Sequence, residues 1–254
     1  MFKPKAYILT IFLAVASVSI VFYLYKTRIS SPPAVTDASL RYAALVSSIT
    51  PQPTQPFTDS LPNFTLIKTA FVPQAPEKIW DQPWQDTCEE AALLTVDYFY
   101  KNQTPSVPTI KTDLQNMLNF ETELGFVKDI NQSQMATISS RHLGYQSTIV
   151  TDPTIETIKK YLVRNIPVIV TANGKTLYRE NKHFKSGGPW YHSLVILGYD
   201  DTKKEFFVHD VGTQFGAYFS YSYSLLMESI HDFPPEGHKE NIDQGSKSVL
   251  VLVK

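Results

Sequence analysis

The chain has 254 residues and a formal net charge of -1, from 23 basic and 24 acidic side chains. No basic excess exists to neutralise phosphates, so the composition argues against nucleic acid as a partner. The length suits one domain with appendages, and the single cysteine excludes an intramolecular disulfide.

The N-terminal stretch at residues 6–25 is apolar, with the sequence AYILTIFLAVASVSIVFYLY and no charge or proline. A run of about 20 such residues can cross a bilayer as one helix. Basic residues flank it on both sides, and the bias favours a cytoplasmic N-terminus. We therefore predict a single-pass membrane anchor at residues 1–28, with the rest of the chain outside. A secreted protein cleaved near Ala14-Val15-Ala16 is the alternative, although the apolar run continues past that site.

Residues 29–66 are rich in proline, which blocks regular structure and stiffens a linker. We predict a tether there, with a short helix at 38–48. From about residue 67 the sequence pattern is typical of a globular domain, so the folded domain is predicted at 67–254.

The domain begins with predicted helices and continues with predicted strands. The helices are expected at 88–100, 107–120, 131–142 and 152–162, the last starting with Asp152-Pro153 as its N-cap and first residue. The strands are expected at 167–172, 192–199, 205–211 and 248–253. This order predicts an α+β domain in which a mainly antiparallel sheet packs against the first helix.

Cys88 lies at the start of the first predicted helix, where Asp86 or Thr87 would be the N-cap. The positive end of a helix favours a thiolate over a thiol. Cys88 is therefore either a buried apolar side chain or a reactive nucleophile. Glu89 and Glu90 follow it, and their position predicts favourable charges in the first helical turn.

A cysteine nucleophile needs a base, and that base usually needs an acid to orient it. His192 begins one predicted strand, Asp210 ends the next, and the loop at 200–204 joins them. Paired residues in an antiparallel hairpin have position numbers with a constant sum, which places His192 opposite residue 210 or about two residues beyond it. His192 and Asp210 are thus expected within side-chain reach. His209 should point to the opposite side of the sheet.

Each of these residues also has a structural interpretation. Cys88 can pack at a helix start, His192 can be an ordinary strand histidine, and Asp210 can begin a turn before Gly212. Zinc is a weak alternative, because there is no second cysteine and no two histidines have close ligand spacing. No metal or cofactor is expected.

Several segments together resemble a papain-like cysteine peptidase of the bacteriocin-processing (double-glycine leader) peptidase-like family, in its broad bacterial branch. The segments are Val72-Pro73-Gln74-Ala75-Pro76, Trp80, Cys88-Glu89-Glu90-Ala91, Pro167-Val168-Ile169-Val170, Gly187-Gly188-Pro189-Trp190-Tyr191-His192, Gly198-Tyr199-Asp200 and Asp210-Val211-Gly212-Thr213. The resemblance extends from about Phe71 to Asp232. It implies a papain-like fold, with Cys88 as nucleophile, His192 as base and Asp210 as orienting acid.

The resemblance also implies a glutamine ahead of the cysteine that stabilises the oxyanion, together with the backbone N–H of Cys88. Gln74 matches the family's Val-Pro…Gln motif and is favoured. Gln82 has the six-residue spacing of papain-like enzymes and comes second, and Gln85 comes third.

Many members of the family have Cys-Gly-Pro where this chain has Cys88-Glu89-Glu90. Two carboxylates beside the nucleophile would disfavour a thiolate unless they face solvent or bind partner groups. The expected function is that of a membrane-anchored cysteine peptidase acting on a peptide or protein substrate. A cell-wall peptide amidase or transpeptidase with the same triad, and an inactive peptide-binding module, are the alternatives.

Overall fold

A seven-stranded sheet forms the centre of the domain in this computed structural model, which describes residues 34–48 and 61–254. The strands are β1 (Phe64–Leu66), β2 (Gln146–Thr151), β3 (Val168–Asn173), β4 (Tyr191–Asp200), β5 (Glu205–His209), β6 (Phe219–Ser222) and β7 (Ser248–Val253). Their order is β2-β7-β3-β4-β5-β6, and β1 pairs with the end of β4. All pairings among these strands are antiparallel, which confirms the predicted sheet type.

The helices of the described residues are α1 (Ala34–Ser47), α2 (Cys88–Lys101), α3 (Val107–Glu123), α4 (Gln132–Ile138), α5 (Ile155–Val163), α6 (Gly174–Leu177) and α7 (Tyr223–Ser229). A π-helical turn, Ser139–Leu143, continues α4 and ends at Gly144, whose φ of 79° is left-handed. The helix α2 packs against β4, as predicted for an α+β domain.

The strands β3 and β4 are buried along their whole length, because elements cover both faces of the sheet at its centre. A strand that is buried on both faces has a continuous apolar sequence instead of an alternating one. This explains the run Leu194–Leu197, whose side chains are fully buried. Packing in the core therefore fixes the position of β4, the strand on which His192 lies.

Two predicted boundaries of secondary-structure elements are wrong. The helix α5 begins after Thr154, whose side chain accepts a hydrogen bond from the Thr157 N–H at 3.1 Å, and not at Asp152-Pro153. The reason is that the Asp152 N–H donates to the Lys247 carbonyl at 2.8 Å, so the chain beyond β2 still follows β7. The strand predicted at 205–211 ends at His209.

Part of the predicted tether packs on the domain, and the compact unit begins at Ala34. In α1, Ala38 is buried, the Arg41 guanidinium donates to the Ala217 carbonyl at 2.8 Å, and the Tyr42 and Tyr218 rings lie 5.7 Å apart. The strand β1 also precedes residue 67 and belongs to the sheet.

The predicted membrane anchor at residues 1–28 lies outside the described residues. Within residues 34–48 and 61–254, no helix is both long enough and apolar enough to span a bilayer.

Candidate active site

Cys88 is the first residue of α2, and only 5% of its surface is exposed. The preceding Thr87 is the N-cap, but its hydroxyl does not cap the helix; it donates to the Gln74 carbonyl at 2.9 Å. The Gln74 N–H in turn donates to the Val211 carbonyl at 3.0 Å. These backbone contacts hold the Gln74 segment between the start of α2 and the segment that follows β5.

His192 and Asp210 are in direct contact, with His192 Nε2 2.9 Å from Asp210 Oδ1. The β4–β5 register pairs Val195 with His209, and continuing it places His192 opposite residue 212. That is two residues beyond Asp210, within the range predicted from the hairpin. An irregularity between Ile196 and Gly198 shifts the register by one residue on the way to the turn.

Asp210 is fully buried and receives four hydrogen bonds in all. Besides His192, the donors are the Asn181 amide at 2.9 Å, the Tyr221 hydroxyl at 2.5 Å and the Gly212 N–H at 3.2 Å. Burial alone would raise the pKa of Asp210, but His192 and the hydrogen bonds from Tyr221 and Asn181 outweigh it and lower the pKa. Asp210 is thus a carboxylate held in one orientation.

Gly212 brings the backbone against the His192 ring. A Cβ atom at this position would lie 2.6 Å from His192 Cε1 and 2.9 Å from Phe184 Cε1, closer than side chains allow. The Phe184 ring meets the His192 ring edge-on at 5.2 Å. The imidazole is therefore fixed by Asp210 on one side and by close packing on others.

Cys88, His192 and Gln74 line one cavity of about 500 Å³. Gln85 also lines it, whereas Gln82 is exposed, does not line it, and donates its amide to Asp86 at 2.6 Å. Gln74 is buried, and its amide nitrogen donates to the Trp84 carbonyl at 3.1 Å. Because an amide has two N–H groups, this bond leaves a second donor on Gln74. Of the three glutamines considered, Gln74 is both buried and beside the cavity.

Glu89, for which the sequence predicts a favourable charge in the first helical turn, is buried. Its Oε1 accepts a hydrogen bond from the Ile130 N–H at 3.0 Å, and its Oε2 accepts one from the Cys88 thiol at 2.9 Å. Burial, and the neighbouring Glu90, raise the pKa of Glu89 well above the ordinary value. The side chain next to Cys88 is therefore a carboxyl that tends to keep its proton.

Glu90 is also buried, which disfavours the charge predicted for it in the first turn. It lies against Glu121 of α3, and burial together with this second carboxyl raises the pKa of Glu90. The pKa of Glu121 is raised, chiefly by burial, to about 7. Two carboxyls in contact inside a protein cannot both ionise easily, so the pair tends to share a proton.

Burial raises the pKa of the Cys88 thiol, and negative charge on Glu89, Glu90 or Asp129 would raise it further. A protonated Glu89 removes the nearest of these charges. After burial, the interaction with Glu89 is therefore the largest influence on the pKa of the Cys88 thiol.

His209 lies away from the cavity, as expected from strand alternation. Its ring packs at 4.5 Å on Tyr218 and at 5.2 Å, edge-on, on Phe71. Burial lowers the pKa of His209 to about 3, so this histidine is neutral. Among residues 34–48 and 61–254, no group of three histidine, cysteine or acidic side chains could hold a metal ion.

Sequence reasoning missed Asn181 and Tyr221, which hold Asp210, and the contact of Glu89 with the thiol. Asn181 lies between α6 and β4, and nothing in its local sequence indicates a catalytic neighbour. Tyr221 belongs to β6, a four-residue strand that was not predicted.

Comparison with known proteins identifies the family to which the chain belongs. The model of the Peptidase_C39-like family matches residues 67–231, which is well over half of the chain. A search of curated proteins finds no match. Among solved structures, one from Bacillus anthracis, described as a C39-like peptidase, has 14% identity, a TM-score of 0.41, and coverage of 66% of this chain and 89% of its own. Xylellain, a cysteine protease from Xylella fastidiosa, has 14% identity and a TM-score of 0.41, with 82% and 93% covered. On the strength of the family match, the chain belongs to the Peptidase_C39-like family and is a papain-like cysteine peptidase.

Proposed function

We propose that the domain hydrolyses peptide bonds by acyl transfer, with Cys88 as nucleophile, His192 as general base and acid, and Asp210 as the residue that orients His192. The observation that carries this proposal is the shared cavity of Cys88, His192 and Gln74, with Asp210 bonded behind His192. These groups come from separate parts of the chain and meet around one space large enough for a peptide segment.

The proposed reaction begins when His192 takes the proton of the Cys88 thiol and the sulfur attacks the amide carbon. Asp210 occupies Nε2 of His192, so Nδ1 is the nitrogen left for this transfer. The oxyanion accepts hydrogen bonds from the Gln74 amide and the Cys88 backbone N–H. His192 then protonates the leaving amine, and water, deprotonated by His192, hydrolyses the thioester.

A peptide library incubated with the full-length protein and with Cys88→Ala tests the proposal. We expect cleavage by the native protein and none by the variant. Undiminished cleavage by a folded Cys88→Ala protein would refute the mechanism. A panel of muropeptides run beside the linear peptides separates cleavage of proteins from the alternative of a cell-wall amidase or transpeptidase.

The inactive peptide-binding module is a second candidate, favoured by the bond from the Cys88 thiol to Glu89 and by the raised pKa of that thiol. Iodoacetamide labelling across pH distinguishes the two. An active enzyme reacts near neutral pH and loses that reactivity in His192→Ala. An inactive module reacts only above about pH 8.5, like a free cysteine.

We also propose that the apolar segment at residues 6–25 anchors the protein in a membrane, with the peptidase domain on the outer side. The support is the length of the segment, its lack of charge and its flanking basic residues. Protease treatment of intact cells should digest the domain, and carbonate washing of membranes should not release it. Release of a shortened soluble protein would instead favour signal cleavage.

A further inference from the structure

We propose that Glu89 is a fourth functional residue of the site: a proton-carrying carboxyl that donates a hydrogen bond to the Cys88 thiolate. The inference deepens the proposed function and rests on it only in taking Cys88 as the reactive thiol. It assigns a positive role to the residue that the sequence suggested as an obstacle to activity.

The contacts of Glu89 indicate which of its oxygens carries the proton in the neutral acid. The Ile130 N–H donates to Oε1 at 3.0 Å, so Oε1 must act as an acceptor. The carbonyl oxygen is the better acceptor of a neutral carboxyl, so a neutral Glu89 favours the proton on Oε2, which lies 2.9 Å from the Cys88 sulfur. The O–H of the acid is then within reach of the sulfur and can turn to donate to it once the thiol proton has left.

Both protonation states of Cys88 fit this contact. While Cys88 is a thiol, it donates to Oε2, as in the structure. When His192 takes the thiol proton, the sulfur becomes an acceptor, and the O–H of Glu89 rotates or shifts to donate to it. Glu89 keeps its own proton throughout, so the step moves one proton only, from sulfur to His192. A hydrogen bond to a charged acceptor is stronger than one to a neutral acceptor.

The surroundings of Glu89 favour the neutral acid. Burial is the largest influence on its pKa, which is raised well above the ordinary value. The titratable groups facing it are Cys88 and Glu90 on α2, Glu121 on α3, Asp129 in the loop before α4, and Tyr191 on β4. None of these is a cation, and the nearby Lys239 is held by Asp129 at 3.0 Å. No positive charge among these groups therefore draws the proton away from Glu89. His192, on the same cavity, becomes a cation only when it takes the thiol proton, and it is then bonded to the Asp210 carboxylate.

Glutamine is a close mimic of the neutral acid at this position. Its amide oxygen can accept from the Ile130 N–H while its NH₂ group donates to the sulfur, which reproduces both contacts. Alanine removes both. Glu90→Gln is the matched control, because Glu90 is equally buried but faces Glu121 and not the sulfur.

The test is the rate of iodoacetamide labelling of the full-length protein across pH, compared among native protein, Glu89→Gln, Glu89→Ala and Glu90→Gln. Cys88 is the only thiol, so the label reports on it alone. At neutral pH we expect Glu89→Gln and Glu90→Gln to stay within several-fold of the native rate. Glu89→Ala should be slower by about tenfold or more, the worth of a hydrogen bond to a charged group.

Faster labelling in both Glu89 variants would overturn the proposal, because it would mean that Glu89 is an anion that suppresses the thiolate. An unchanged rate in a folded Glu89→Ala protein would overturn it as well. If Glu89→Ala does not fold, Glu89→Gln decides alone: a thiol pKa like the native one supports the proposal, and one that is lower by more than about a unit refutes it. Labelling needs no peptide turnover, so its outcome is separate from that of the Cys88→Ala cleavage assay.

Discussion

Tyr221 donates a hydrogen bond of 2.5 Å to Asp210 Oδ2, on the oxygen that His192 does not use. The Asn181 amide shares this oxygen at 2.9 Å. The two donors fix the plane of the carboxylate, and through it the plane of the imidazole. Tyr221 and Asn181 are therefore positioning residues for the proposed base.

Removing the Tyr221 hydroxyl should impair both stability and cleavage. In Tyr221→Phe, we expect the free energy of unfolding to fall by about 1.5–3 kcal/mol, as for loss of a hydrogen bond to a buried charge. Because His192 is held less firmly, kcat should fall several-fold with little change in KM. Tyr223→Phe is the control: it removes a tyrosine hydroxyl that donates to Asp201 at 2.9 Å, outside the cavity. Equal kcat losses in the two variants would contradict the positioning role.

Gln74 and Gln82 should differ sharply on substitution. We expect Gln74→Ala to lower kcat by about 100- to 1,000-fold, as for loss of one oxyanion donor. Gln82→Ala should leave kcat near the native value, since its side chain is exposed and bound to Asp86. Peptide cleavage under saturating substrate measures both. A larger loss in Gln82→Ala would move the oxyanion role to that residue.

A methyl group at residue 212 should displace the proposed base. In Gly212→Ala, the new Cβ would lie 2.6 Å from His192 Cε1, so the ring or the backbone must move. We expect the free energy of unfolding to fall by about 1–3 kcal/mol because of overpacking. We also expect kcat to fall, because the His192 ring no longer holds its position. Denaturant unfolding and steady-state kinetics measure the two effects. An unchanged kcat in this variant would contradict the prediction that close packing at Gly212 positions His192.

The Glu90–Glu121 pair should make stability depend on pH. The pKa of Glu121 is raised from 4.5 to about 7, so the folded state binds a proton that the unfolded state has lost. The stabilising contribution is complete below the unfolded pKa and disappears as pH rises through about 7. We expect the urea midpoint to fall over that window in the native protein and to fall less in Glu121→Gln. Glu123→Gln, on the exposed side of α3, should behave like the native protein.

The contact of His192 with Asp210 could be predicted because a hairpin relates sequence distance to spatial distance by simple arithmetic. The two residues lie on, or directly after, strands joined by a short loop, so the position of the turn largely determines the register between the strands. The buried strand β4 could also be predicted, since its apolar run is continuous. The strands β2 and β6 were missed because β2 lies at an edge and is partly exposed, and β6 has only four residues.

The role of Glu89 could not be predicted from its position at the start of α2. A glutamate in a first helical turn ordinarily meets solvent and the helix dipole. Here the Ile130 N–H, from a loop far along the chain, reaches the carboxyl and helps to bury it. The contacts of Asn181 and Tyr221 with Asp210 could not be predicted for the same reason, because tertiary packing and not a local sequence pattern brings these residues together.

The hydrogen bond from the Gln74 N–H to the Val211 carbonyl has a consequence for how the protein matures. It joins the first part of the folded domain to a segment that is synthesised much later. The loop between the two segments must be closed, at an entropic cost, before this contact can form. A partly folded chain would therefore contain the thiol without the cavity around it. The cavity beside Cys88 therefore depends on contacts between the early and the late parts of the domain.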